Sequence, residues 1–293
     1  VNRYSKLLTK RAKNWTIYWL VKLLIRFLSA TSRQFSLWFC GLLGGMAYFI
    51  LGKQRRKTLL GLRLMGGIKP KELKRIARGV FYNLGRNAAD TFRMVGPGDF
   101  GRGLIKVKGW EKFQETYSWG RGLVGLTAHL GNWELIGAWL SWKGYPLTVV
   151  GRELYDPRLD KLLVGYRKGV GERNVSISQG AKPLLLALKR GEMIGLLADR
   201  GGKGVGRMAF PLFGKLAFIP MGPFLLAQRA GSPLLPLFIH LTDDGHHLLE
   251  VGEPIDPQGD LKAIVGRWVE ILEGFVRRYP THLAWMGVNW VEG

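Results

Sequence analysis

The chain has 293 residues, 47% of them hydrophobic and 12% aromatic, which excludes disorder and suffices for one large folded unit or two small ones. Its 44 Lys and Arg against 21 Asp and Glu give a formal net charge of +23, so an anionic partner is expected. A single cysteine, Cys40, excludes an internal disulfide and a cysteine-based zinc cluster and fits a reducing compartment.

The charge is uneven, because fifteen Lys and Arg, from Arg3 to Lys71, precede the first acidic residue, Glu72. From Trp15 to Leu28 the chain is apolar apart from Lys22 and Arg26, four apart on one helical face, a pattern of an interfacial amphipathic helix with snorkelling stems. The uncharged stretch 34–52 approaches the length that crosses a bilayer core and predicts a short or re-entrant membrane helix flanked by positive charge. Residues 1–70 therefore read as a basic, hydrophobic membrane-anchoring region, and 71–293 as the folded catalytic or binding domain.

Pro70 suits the first turn of a helix that continues to Met94 with apolar residues at Ile76, Val80, Leu84 and Ala88, until Gly96-Pro97-Gly98 breaks it. A strand (LIKVKG) and a helix (EKFQETYSWG) follow. Gly122–Ala128 is a short apolar run bounded by glycine, as in a buried strand. Helix Asn132–Trp142, strand Leu147–Val150, helix Asp156–Lys168, a strand near Val175, helix Ala181–Arg190 and strand Met193–Ala198 come next. After a glycine-rich loop stand helix Met221–Ala230, strands Leu234–Leu241 and His247–Gly252, and helix Leu261–Tyr279. This alternation predicts an α/β domain around a mixed, mostly parallel sheet flanked by helices.

Chemistry in such sheets gathers beyond the carboxyl ends of the strands. The strand GLVGLTA runs into His129-Leu-Gly-Asn-Trp-Glu134, an imidazole at the strand end and a carboxylate in the next first turn. On one continuous helix the two would diverge by about 140°, so they meet only if His129 lies in the turn, which Gly131 permits. A carboxylate on one ring nitrogen fixes the tautomer and leaves the other nitrogen to take a proton from a substrate hydroxyl. By residue type alone, such a pair is more often a histidine that merely caps a helix. The loop Gly201–Arg207 has neither the P-loop order nor GxGxxG, and neither G-x-S-x-G nor HExxH occurs. His240, His246, His247 and His282 lack metal spacing.

HLGNWE, with RRKTLLGLRLMGG and VFYNLGRNAAD before it and PLLPLFI after it, closely resembles the lysophospholipid acyltransferase superfamily. More narrowly, it resembles the late lauroyl/myristoyl acyltransferases of bacterial lipid A biosynthesis, over nearly the whole chain. The resemblance implies a glycerolipid acyltransferase-like fold with His129 as base and Glu134 as its orienting partner. It further implies substrate contacts from Asn132, from Arg152 beside a phosphate or sugar head, and from Arg167. Asp199-Arg200 matches a block that more often reads Asp-Gln. Lys203 and Arg207 would contact an anionic donor or acceptor, and Phe210–Gly214, leading to Pro220, would line an acyl pocket.

The segment Leu283–Trp290 departs from the aromatic block with His-Arg-Arg usual in the lipid A branch. The acceptor thus stays open between a lipid A precursor and another anionic glycolipid or phospholipid such as a mannosylated phosphoinositide. No metal or bound cofactor is implied. The donor would be acyl-ACP or acyl-CoA, the acidic carrier protein suiting a +23 surface. The expected partners are membrane lipids rather than nucleic acid, at a bacterial inner membrane with the catalytic domain on its cytoplasmic face. A non-catalytic basic protein coating anionic lipid or nucleic acid is the alternative that charge alone supports.

Overall fold

A computed structural model describes residues 3–202 and 206–291, with side chains from residue 13 onward. The chain opens with α1 (Arg3–Ala30), α2 (Arg33–Ile50) and α3 (Gly52–Met65). The Ser32 hydroxyl caps α2 by accepting the Phe35 N–H. α4 (Pro70–Phe92) starts on its proline, as the sequence predicts.

α2 lies in backbone contact with α4. A Cβ on Gly44 would stand 2.2 Å from the Phe81 carbonyl oxygen, and one on Gly85 2.0 Å from that of Cys40. These glycines therefore serve close helix packing. The uncharged stretch 34–52 falls in α2, which buries Ser36, Leu37, Cys40 and Tyr48 and meets α3 at 94°. No single helix among the described residues is long and apolar enough to cross a membrane. The opposite face of α2, with Trp38, Met46, Phe49 and Ile50, is exposed, and so are Trp15, Trp19, Leu23 and Phe27 of α1.

The α1–α2 corner is fastened to α4. Arg93 donates to the Leu28 carbonyl and, at 2.7 Å, to that of Thr31. Arg33 grips Asp90 with two bonds of 2.8 and 2.7 Å, and His247 Nε2 lies 2.8 Å from the same carboxylate. Burial pushes the Asp90 carboxyl up, but the bonds from His247 and Arg33 outweigh it and hold the group below the ordinary range.

After α5 (Pro97–Gly101) come β1 (Ile105–Lys108), α6 (Trp110–Ser118), β2 (Leu123–Thr127), α7 (Trp133–Trp142) and β3 (Leu147–Gly151). α8 (Pro157–Gly169), β4 (Arg173–Ser176), α9 (Lys182–Lys189) and β5 (Met193–Leu197) follow. A hairpin of β6 (Arg207–Leu212) and β7 (Lys215–Pro220) precedes α10 (Gly222–Ala230), β8 (Leu234–Leu241), β9 (His247–Val251) and α11 (Leu261–Arg278). Seven strands form one sheet in the order β1-β9-β8-β2-β5-β3-β4. All neighbours are parallel except β8 and β9, so the expected mixed, mostly parallel sheet is present.

The β6–β7 hairpin was not expected from the sequence. Its two turn residues, Phe213 and Gly214, have φ of +52° and +78°, the hand of a tight hairpin turn that usually carries Asn-Gly. Residue 70 marks a helix start rather than a gap in packing, since Tyr48, Leu62 and Met65 share one core with Val124, Phe224 and Trp268.

Candidate active site

The carboxyl ends of β2 and β5 lie side by side, and the site grows out of their register. Thr127 pairs with Leu197, the last pair of the ladder. Two residues further on, on the same faces by the strand period, stand His129 and Asp199. His129 Nδ1 lies 2.8 Å from Asp199 Oδ1. The carboxyl is buried beneath the ring. Burial pushes it up, but the charge and hydrogen bond of His129, with the guanidinium of Arg200, hold it below the usual carboxylate range. An ionised Asp199 accepts a proton-bearing Nδ1, which leaves Nε2 with its lone pair. The Trp133 ring packs edge-on against the imidazole at 5.0 Å between centroids.

This geometry corrects the expected pairing. Glu134 does not hold His129. Its oxygens accept from Arg167 Nη2 at 2.7 Å and Nε at 2.9 Å, and Arg167 Nη1 donates to Asn174 at 2.6 Å. Position five along from His129, in the first turn of α7, points the carboxylate toward α8 instead.

The turn around His129 is braced from far along the chain. Gly131 N–H donates to the His282 carbonyl at 3.0 Å, and Ala284 N–H to that of His129 at 2.9 Å. Arg200 donates to the Ala284 carbonyl at 2.8 Å. Gly131 has φ +60°, and a Cβ there would stand 1.8 Å from the Ile239 carbonyl oxygen, so glycine is required. The Trp268 indole donates to the Ala198 carbonyl at 3.0 Å and steadies the residue before Asp199. The departing segment Leu283–Trp290 is thus structural support of the site.

His129 opens on a cavity of about 830 Å3 whose walls include Trp133, Arg152, Arg167, Arg200 and Pro220. Arg152 is exposed at the wall with no carboxylate in ion-pair reach among the described residues. The other expected contacts lie elsewhere. Asn132 is buried, donating to the Asn87 carbonyl at 2.9 Å and accepting from Thr91 at 3.3 Å, which ties the turn around His129 to α4. Arg207 stacks on the Phe218 ring at 3.8 Å, outside the cavity wall. Phe210–Gly214 belongs to the hairpin tip, also outside that wall, whereas Pro220 reaches it. Lys203 lies outside the described residues. Among the described residues no group of His, Cys, Asp or Glu could hold a metal ion.

A histidine base on a buried carboxylate, above a cavity with three arginines, suits the deprotonation of a hydroxyl on an anionic molecule. The chain is 28% identical over 176 residues to a phosphatidylinositol mannoside acyltransferase of Mycolicibacterium smegmatis, covering 59% of this chain and 58% of that protein. It is 28% identical over 190 residues to a phosphatidylinositol mannoside acyltransferase of Mycobacterium tuberculosis, covering 63% and 60%. The match thus spans about three fifths of the length of these relatives. The family described as bacterial lipid A biosynthesis acyltransferase matches residues 5–291, and the chain belongs to that family.

Proposed function

We propose that the protein is an O-acyltransferase that moves a fatty acyl group from a thioester, acyl-ACP or acyl-CoA, to a hydroxyl of an anionic glycolipid. The observation that carries this reading is the His129–Asp199 pair, 2.8 Å apart, at the wall of the large cavity. His129 Nε2 removes the acceptor proton, and the freed oxygen attacks the thioester carbonyl. Asp199 stabilises the imidazolium that forms. Arg200, 3.4 Å from Asp199 and partly exposed at the cavity wall, supports charge developing on the carbonyl oxygen. Collapse of the tetrahedral species expels the thiolate, which takes the proton from His129.

Arg152 and Arg200 favour an acceptor with a phosphate. The family description names lipid A, and the names of the relatives favour a phosphatidylinositol mannoside. The exposed apolar side chains of α1 and α2, with Lys22, Arg26 and the Arg55–Lys57 run nearby in sequence, support seating on the cytoplasmic face of an anionic bacterial inner membrane.

The test is mass spectrometry of total lipid from cells producing wild type or His129→Ala at equal amounts, in a host with lipid A precursor and one with phosphatidylinositol mannosides. Gain of one acyl group on one of these lipids with wild type alone supports the reading and identifies the acceptor. Identical lipids in both hosts reject it and bring forward a basic lipid-coating protein.

A further inference from the structure

The mouth of the large cavity has an apolar rim outside the helices already described. Leu154 and Ile177 line the cavity and are exposed, and Tyr155, next along the chain, is 61% exposed. The segment between β3 and α8 that carries the first two of the pair Leu154-Tyr155 is held in shape. The Leu154 N–H donates to Asp160 at 3.0 Å, and the hydroxyl of Ser176, the residue before Ile177, donates to Glu153 at 3.1 Å. Asp156 caps α8 by accepting the Arg158 N–H at 2.9 Å, and it takes two more bonds from the Arg158 guanidinium, at 2.8 and 3.1 Å.

That guanidinium also lies over the Tyr18 ring of α1, 4.8 Å from its centroid. The start of α8, three residues beyond Tyr155, therefore touches the middle of α1. There Trp15 packs on Trp19, both exposed, and the Lys22 ammonium lies over Trp19 at 5.2 Å. The apolar rim and the aromatic face of α1 thus adjoin across one cation–π contact.

The chemistry of this joined surface selects its occupant. Tryptophan and tyrosine beside lysine suit a water–lipid interface, where each ring has an apolar body and a polar end. From residue 13 onward α1 carries Lys13, Lys22 and Arg26 and no carboxylate, which complements anionic headgroups. The rim carboxylates Glu153, Asp156 and Asp160 are each engaged by the bonds above. Resting on the membrane seating proposed above, we infer that the β3–α8 segment is a second membrane contact, with Tyr155 and Leu154 entering the interface of an anionic bilayer beside α1. The cavity then opens at headgroup level. Arg152, three residues and at most about 10 Å of chain before Tyr155, stands there among lipid phosphates.

The experiment places an environment-sensitive fluorophore on Tyr155→Cys, Trp38→Cys or Glu270→Cys in the full chain. Vesicles of phosphatidylglycerol and phosphatidylcholine, with a nitroxide quencher just below the headgroup, are then added. Trp38 reports the α2 face, and Glu270, exposed on α11, a site outside the proposed contact. Wild type is the blank, since Cys40 is buried. Labels at 155 and 38 are expected to shift to the blue and lose at least about two thirds of their emission to the quencher, with 270 unchanged. Tyr155→Glu should weaken vesicle binding about 10-fold at an unchanged melting temperature. Quenching at 38 without quenching at 155 overturns the inference and leaves the seating of α1 and α2 in place. Quenching at neither removes that seating as well. Equal quenching at all three sites is unspecific adsorption and overturns the inference, as does Tyr155→Glu binding as tightly as wild type. A label at 155 that responds to an acidic carrier protein and not to vesicles overturns it in favour of a protein partner. None of these readings needs turnover, so failure of the acyltransferase reading shows separately in the lipid analysis.

Discussion

Replacing Glu172 with Gln should change how stability depends on pH, and the size follows from its surroundings. The carboxyl moves from an ordinary 4.5 to about 8 on folding, because burial and Glu134 disfavour its charge more than Arg167 favours it. The folded chain therefore holds this proton more tightly than the unfolded one. Its stabilising contribution is complete below about pH 4.5 and is lost as pH rises toward about 8, at about 1.4 kcal/mol per pH unit. The full loss is about 5 kcal/mol, of which about 3 kcal/mol has gone by pH 7. Glutamine keeps the shape and cannot ionise. Urea unfolding of wild type and Glu172→Gln in the same detergent, followed by circular dichroism, should give equal stabilities near pH 4.5 and a widening advantage to the variant up to about pH 8. Other titrating groups cancel in the difference. Parallel curves for the two proteins across that range would refute a protonated Glu172.

Four further outcomes follow from the same geometry. Asp199→Asn should lower kcat by about 10²–10⁴-fold in a folded protein, by removing the acceptor that orients His129. Glu134→Gln should instead lower stability by about 3 kcal/mol through the stranded Arg167, and kinetics with thermal melts on both variants decide between the two carboxylates. Gly131→Ala should abolish soluble protein or cost upward of about 3 kcal/mol, read by expression and melting, because φ is +60° and the Ile239 carbonyl occupies the Cβ position. Trp38→Glu with Phe49→Glu should weaken co-sedimentation with anionic vesicles more than about 10-fold while leaving the fold intact, since both side chains are exposed. Unchanged sedimentation would remove the apolar α2 face from membrane contact.

Much of the frame was legible because the chain after residue 70 alternates short apolar runs with helical periods, and glycines punctuate them. His129 was legible from its place after β2. Its partner was not, because Asp199 lies 70 residues away and meets it only through the adjacency of β2 and β5. The parity of Thr127 with His129 and of Leu197 with Asp199 was present in the sequence. The strand order that turns parity into contact was not. Glu134 misled for a related reason, since closeness along the chain says little about which way a side chain leaves the first turn of a helix. The β6–β7 hairpin hid behind Pro211 and a turn with phenylalanine where asparagine is usual. The packing role of Gly44 in the uncharged run of α2 was not legible, because helix-packing glycines and lipid-tolerated glycines look alike until α4 is placed beside them.

The brace around His129 has a consequence for synthesis. The ring, its carboxylate and the strand that seats them are all translated by residue 199, yet the turn is closed by backbone bonds from residues 282 and 284. Contacts so distant in sequence form late, after the entropy of closing a loop of about 150 residues has been met. A nascent chain emerging from the ribosome therefore carries His129 without a fixed geometry for most of its elongation. The turn that seats the ring is assembled only when the final helix and the segment behind it have docked.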